Sequence, residues 1–323
     1  MSYFEYKSFF ELQKMPLAAV KKYHLEKRKY ESENNIPEKG ISIKKAIHIF
    51  PLAAVALDRT LSHNKLIVLG DKRISTNKPI IYACAHCHPE DPATALEAIK
   101  EHSYLFLGDP EDVYQRFEGL LLELNGVINL ETRVKDSFIN ELLELGLLKP
   151  NEVEEFKSII KNDRKLAYKK AVEILKKGAN LLIFPEGAVN LTPNLPIMGL
   201  YPGAIKMALE TGAEIVPMAL ERYGNRFYAN IGENIKVTNR GDNSIIYYKE
   251  KLRDAMATLK WEIWDYQGIK SRESCPSEEE FINQVMGTSD FIYSEEDIYE
   301  TMYHDKGITR PEDVKGLYLK RTK

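Results

Sequence analysis

The spacing of apolar residues changes partway along this chain. Residues 41–63 mix Ile41, Ile43, Ile47, Phe50, Leu52, Val55 and Leu57 with Lys44, Lys45 and Arg59. That spacing predicts an amphipathic helix. Pro51 is expected to kink or end it, because proline has no N–H to donate to the helix ladder. From Lys65 the rhythm shortens. Leu66-Ile67-Val68-Leu69-Gly70 reads as a strand, and Pro79 to Ala85 as a second, apolar on both faces as a buried strand is. Tyr104–Leu107, Gly126–Leu130, Leu181–Phe184 and Glu214–Leu220 read as further strands.

Helical patterns alternate with these strands. Asp91 to Leu96 opens one helix, with Asp91 at the cap and Pro92 in the first turn. Asn162 to Lys177 is a second, ending before Gly178 as a C-terminal cap. Gly203 to Thr211 and Ile245 to Tyr266 are two more. Alternating strand and helix predicts an α/β sheet with helices on both faces. Three segments are expected: an N-terminal helical segment over 1–64, inserted at a membrane surface or packed against the core, a body over 65–270 with a helix-rich insert at about 134–161, and an acidic extension over 271–323. The extension carries Phe281, Phe291, Tyr293, Tyr299 and Tyr303, so it reads as a packed extension, a lid or a partner surface. Pro-Leu-Ala-Ala-Val occurs at Pro16 and at Pro51, too little for a repeat architecture.

Composition narrows the class. Of 323 residues, 44% are hydrophobic and 29% charged, the balance of a globular protein. A net charge of -3 does not suit a nucleic-acid binder. Cys84, Cys87 and Cys275 make no disulfide framework, which fits a reducing, cytoplasmic compartment. No signal peptide is expected, and no run approaches the ~18–20 apolar residues of a membrane span. The first sixty residues carry a basic excess (Lys21, Lys22, Lys27, Arg28, Lys29, Lys44, Lys45), which suits either anionic lipid headgroups or a solvated helix face.

Two short runs carry the chemistry. His86-Cys87-His88-Pro89-Glu90-Asp91 places a histidine five positions before an aspartate, just past a buried strand. Catalytic groups gather at the carboxyl ends of such strands. A neutral imidazole can take a hydroxyl proton, and a carboxylate can orient it. The same pattern also suits a turn histidine beside a helix-capping aspartate. Cys84, His86, Cys87 and His88 are potential zinc ligands, but four so close along one strand end cannot all converge, so no metal is expected. Nothing marks Cys87 as an activated nucleophile. The second run, Phe184-Pro185-Glu186-Gly187, ends another strand with a carboxylate and a glycine able to take positive φ.

In this order the runs resemble the H-x4-D and F-P-E-G blocks of the glycerolipid acyltransferase family, which includes the 1-acylglycerol-3-phosphate acyltransferases. Leu200 to Ala208 and Ile215 to Leu220 follow at the family's spacing, so the resemblance covers about Leu66 to Trp264. It implies a glycerol-3-phosphate acyltransferase-like mixed sheet flanked by helices. It implies an O-acyltransferase in which His86 is the general base and Asp91 its partner. Pro185, Glu186 and Gly187 would help bind the acceptor, and Val216 and Pro217 would line the acyl side. The donor would be acyl-CoA or acyl-carrier protein, the acceptor a lysophosphatidate-like lipid, and no cofactor would be needed. Such a protein is expected at the inner face of the membrane as a peripheral enzyme.

The chain departs from the family at three places. Ala85 and His88 replace the usual asparagine and serine of the first block. Thr132 and Val189 stand where two phosphate-holding arginines are usual. Arg133, Arg164, Lys206 or Arg222 would then supply the cation, Asp163-Arg164 restoring an acid–arginine pair. Otherwise the acceptor is a hydroxyl or amine compound without that phosphate. A non-catalytic lipid-binding protein on the same fold is the remaining alternative.

Overall fold

Residues 4–88, 90–108, 117–130, 135–190 and 196–267 are described in a computed structural model of the chain. Helices α1 (Phe9–Leu12), α2 (Leu17–Glu33), α3 (Ile41–Ile47) and α4 (Ile49–Leu61) precede strands β1 (Lys65–Asp71) and β2 (Ile80–Cys84). Next come α5 (Asp91–Ile99), β3 (Ser103–Gly108), α6 (Phe117–Asn125), β4 (Val127–Leu130), α7 (Asp136–Glu144), α8 (Val153–Lys176) and β5 (Asn180–Ile183). Then follow α9 (Gly203–Thr211), β6 (Glu214–Tyr223), β7 (Arg226–Ile231), β8 (Ile235–Lys236) and α10 (Ser244–Tyr266).

These elements form two compact units. One combines the described residues up to Ala54 with 101–181, the other combines 55–100 with those from 182 on. The segment expected over 1–64 is thus divided inside α4. In the first unit Ala18 and Leu25 of α2 bury against Phe138, Ile139 and Leu142 of α7 and Phe156 and Ile160 of α8. Arg28 of α2 places Nη1 2.8 Å from both carboxylate oxygens of Asp163 on α8. Strands β3 and β4 pair in parallel. Helix α8 begins nine residues before the predicted Asn162, because the last part of the expected insert continues straight into it. It ends as predicted, with Gly178 at φ 75° just beyond Lys177.

The second unit carries a mixed sheet in the order β1-β7-β6-β2. Strand β2 is parallel to β6, β7 is antiparallel to β6, and β1 is parallel to β7. Strand β8 pairs with the start of β6 on the edge that β7 occupies further along. Helix α10 lies against β6 and β7, α9 against β2 and β6, and α5 against β1 and β7. The mixed α/β architecture is the expected one. All five residues of β2 are buried, as a continuous apolar run in a sheet interior must be.

Three local features differ from the sequence reading. Strands β7 and β8 were not anticipated. Asn230 interrupts the apolar pattern of β7, yet it is 2% exposed because its amide donates to Leu259 O (3.2 Å) and Glu262 Oε2 (2.7 Å) on α10. The break in residues 41–63 falls at His48, with Pro51 inside the first turn of α4, where its missing N–H has no helical partner to lose. The basic residues of the early segment are partly engaged within the protein: Lys44 Nζ donates to Glu123 O, Lys45 Nζ to Gly178 O, and Arg28 to Asp163. The extension over 271–323 lies outside the described residues.

Candidate active site

The turn after β2 is built around one carboxylate. The Ala85 N–H still donates to Met218 O at 3.0 Å, so β2 and β6 remain paired up to His86. The chain then turns and enters α5 at Asp91. Asp91 is 1% exposed, and its Oδ2 accepts three hydrogen bonds. They come from His86 Nδ1 at 2.9 Å, the Cys87 N–H at 2.5 Å and the His88 N–H at 2.8 Å. Asp91 is not the helix cap. Glu90 holds that position without a side-chain cap bond, and the Asp91 carboxylate faces back into the turn. A carboxylate only accepts, so Nδ1 of His86 carries the proton and Nε2 keeps its lone pair. The imidazole side chain is 18% exposed and lies against Phe184, ring centroids 4.5 Å apart.

The four residues weighed as zinc ligands diverge. Cys84 is buried inside β2. The Cys87 thiol faces Leu220 O at 3.4 Å, and His88 Nε2 meets Arg222 Nη1 at 2.6 Å. Among the described residues no group of three or more His, Cys, Asp or Glu is arranged to hold a metal ion. Burial and then the Asp91 charge push the Cys87 thiol well above its ordinary range, the opposite of an activated nucleophile.

The second block braces the first. Glu186 is 4% exposed, with Oε1 accepting the His86 N–H at 3.1 Å and Oε2 the Met198 N–H at 2.7 Å. Burial raises the Glu186 carboxyl above its ordinary value, and those two backbone donors oppose the rise. Gly187 sits at φ +75°, and an added Cβ would stand 2.5 Å from the Tyr201 ring. The Tyr201 N–H in turn donates to Pro185 O at 2.8 Å. Val189 and Asn190 are buried, and the Asn190 N–H donates to His86 O at 2.6 Å.

The end of β6 completes the surroundings. Lys260 of α10 is 4% exposed and donates from Nζ to Leu220 O at 2.6 Å, the oxygen that also faces the Cys87 thiol. It pairs with Glu221 Oε2 at 2.9 Å, and Trp264 Nε1 donates to that same oxygen at 2.8 Å. Burial works against the charge of Lys260, but Cys87, Glu221 and Asp91 outweigh it and hold the ammonium above the ordinary lysine range. Arg222 lies over the Phe227 ring at 4.8 Å and 3.7 Å from Glu90 Oε1.

Hydrogen bonds therefore join His86, Asp91 and Glu186 within the second unit, with Pro185 and Gly187 flanking Glu186 in the chain. Val216 and Pro217 are buried inside β6, in register with Tyr82 and Ala83 of β2. Lys206 is exposed on α9. Arg164 is exposed on α8, a helix of the first unit, and its sequence neighbour Asp163 is committed to Arg28. Arg133 lies outside the described residues. Sequence reading missed Lys260 and Glu221. The available signal was Lys260 falling on the buried stripe of α10 formed by Leu252, Met256 and Ile263.

Residues 65–221 match the acyltransferase family. A stretch of 62 residues is 39% identical to a 1-acyl-sn-glycerol-3-phosphate acyltransferase of Borreliella burgdorferi, covering 19% of this chain and 24% of that protein. The chain thus spans about a quarter of the length of the curated relative it matches. Among solved structures, the 1-acyl-sn-glycerophosphate (LPA) acyltransferase PlsC of Thermotoga maritima aligns at 12% identity with a TM-score of 0.47, over 80% of this chain and 93% of that one.

Proposed function

We propose, on the match of residues 65–221 to the acyltransferase family, that this chain moves an acyl group from a thioester to a hydroxyl of a lysophosphatidate-like glycerolipid. The observation that carries this reading is the His86 Nδ1–Asp91 Oδ2 contact of 2.9 Å inside a turn whose other N–H groups hold the same carboxylate. His86 Nε2 takes the proton of the acceptor hydroxyl as its oxygen attacks the thioester carbonyl carbon. Asp91 holds the tautomer and stabilises the imidazolium. The tetrahedral intermediate collapses, the C–S bond breaks, and the thiolate leaves with the proton that His86 returns. Ester and free thiol result, with no change of oxidation state, so the step calls for no redox cofactor. The donor is acyl-CoA or acyl-carrier protein.

Arg222 is the cation we assign to the acceptor phosphate. It belongs to the same unit and touches His88 in the catalytic turn at 2.6 Å, and a guanidinium matches phosphate with a fork of donors. The second reading is an acceptor without phosphate. What favours it is Val189, buried and apolar where the family usually has an arginine.

A peripheral membrane position, at the cytoplasmic face, fits a lipid acceptor. Along α4, Ile49, Phe50, Leu57 and Leu61 are exposed, an apolar stripe suited to an interface. Among the described residues no helix is long and apolar enough to cross a membrane.

The test is thiol release from palmitoyl-CoA by the purified protein, with lysophosphatidate or monoacylglycerol as acceptor. Turnover with lysophosphatidate, reduced about 10²–10⁴-fold in His86→Ala and weakened in KM by Arg222→Ala, is expected. A preference for monoacylglycerol moves the protein to the second reading. A rate unchanged in His86→Ala sinks the mechanism.

A further inference from the structure

Lys260 is a charged residue on an apolar stripe. Leu252, Met256, Ile263 and Trp264 of α10 are buried beside it. An ammonium at such a position is destabilising unless partners compensate its lost hydration. Glu221 supplies the opposite charge at 2.9 Å. Lys260 does more, because its Nζ also holds Leu220 O at 2.6 Å, and that carbonyl faces the Cys87 thiol at 3.4 Å. The Cys87 N–H is in turn bonded to Asp91 Oδ2 at 2.5 Å. A continuous contact path therefore runs from α10 through the end of β6 to the turn that carries His86.

The titratable groups that interact electrostatically with this ammonium come from several elements. They are Glu221 on β6, Cys84 on β2, Cys87 in the turn, Asp91 on α5 and Glu186 beyond β5. Three of these are carboxylates, and Lys260 is the buried cation they share.

We propose that Lys260 is a positioning residue for the reaction: its ammonium anchors the Leu220 carbonyl against the Cys87 turn and supplies the buried positive charge that offsets Asp91 in its pair with His86. The proposal rests on the reading of His86 and Asp91 as base and partner. Without the cation, the Asp91 charge acts on the imidazole undiminished. The ring then keeps its proton to higher pH, and less of the base form is present at a given pH.

The experiment is an NMR titration of the histidine rings in the full-length protein, with the His86 signal assigned by its absence in His86→Ala. The His86 midpoint is expected to rise in Lys260→Met and in Lys260→Gln, which keeps a donor for Leu220 O but no charge. It stays in place in Lys260→Arg. It falls in Glu221→Gln, where the cation is less neutralised. The acid limb of kcat/KM follows the same order. An unmoved midpoint in folded Lys260→Gln overturns the proposal. If neither neutral variant folds, an unmoved or raised midpoint in Glu221→Gln overturns it. The titration needs no turnover, so an inactive wild-type protein would count against the acyl-transfer reading while the electrostatic result still stands or falls by itself.

Discussion

Glu186 and His86 stand a hundred residues apart in sequence and are joined through a single hydrogen bond, the His86 N–H donating to Glu186 Oε1 at 3.1 Å. The other oxygen of that carboxylate takes the Met198 N–H at 2.7 Å. Glu186 is thus a brace that pins the strand end carrying the imidazole to the loop that follows the second block. A further contact with an acceptor hydroxyl would have to share oxygens already in use.

Glu186→Gln tests the brace. The new amide keeps one acceptor and turns its NH₂ toward a backbone N–H, so two donors face each other in a buried place. A loss of about 1–3 kcal/mol is expected, with kcat falling more than KM rises. Denaturant unfolding and steady-state kinetics on the same preparation check it. Full stability with wild-type kcat would show that the brace does not matter.

Asp91→Asn tests the pair. An asparagine oxygen can accept two N–H groups of the turn, but its amide no longer stabilises an imidazolium and no longer selects the Nδ1–H tautomer. The turn is expected to persist while the rate falls about 10²–10⁴-fold. The tautomer is read from histidine ¹⁵N shifts, and an unaltered tautomer with an unaltered rate would contradict the assignment.

Gly187→Ala combines two penalties. The residue sits at φ +75°, and its Cβ would meet Tyr201 Cε2 at 2.5 Å. Destabilisation of about 1–2 kcal/mol is expected from the backbone alone, with more from the ring. Because Tyr201 is 47% exposed, Gly187→Ala/Tyr201→Ala should recover the steric share and leave the backbone share. Melting temperatures of the two variants separate these contributions.

Acid should weaken the first unit. Burial, helped by Lys27 and Arg28, pushes His24 down to about 3. Burial pushes His102 down to about 4, although its bond to Asn125 O favours the charged ring. The folded chain refuses protons that the unfolded chain accepts below an ordinary value of 6.5. Stability is therefore intact above that pH and is lost as pH falls from there toward the depressed values. The slope is about 1.4 kcal/mol per pH unit for each histidine. Denaturant midpoints measured from pH 8 to pH 5 should be flat and then fall, and His24→Leu should remove part of the fall.

Much of the fold is legible in local pattern. Helix α9 occupies Gly203–Thr211 as the apolar spacing predicts, and α10 begins one residue before the predicted Ile245. Strand β7 was hidden because a polar Asn230 sits where an apolar residue would have signalled burial. The start of α8 was hidden because an expected insert and an expected helix proved to be one continuous helix. Asp163-Arg164 read as an acid–arginine pair for a phosphate, whereas Asp163 is bound by Arg28, 135 residues away.

By itself the sequence determined what short-range geometry controls: the run lengths of strands and helices, and the five-residue turn that brings Asp91 to His86. Only the tertiary structure decided which partners the buried charges find. Glu186 to His86, Arg28 to Asp163 and Lys260 to Leu220 span 100, 135 and 40 residues. Such pairs leave no periodic trace in the chain. Whether a buried carboxylate or ammonium is tolerated depends on donors and acceptors delivered by distant segments, and their arrival is settled only when the sheet and helices have packed.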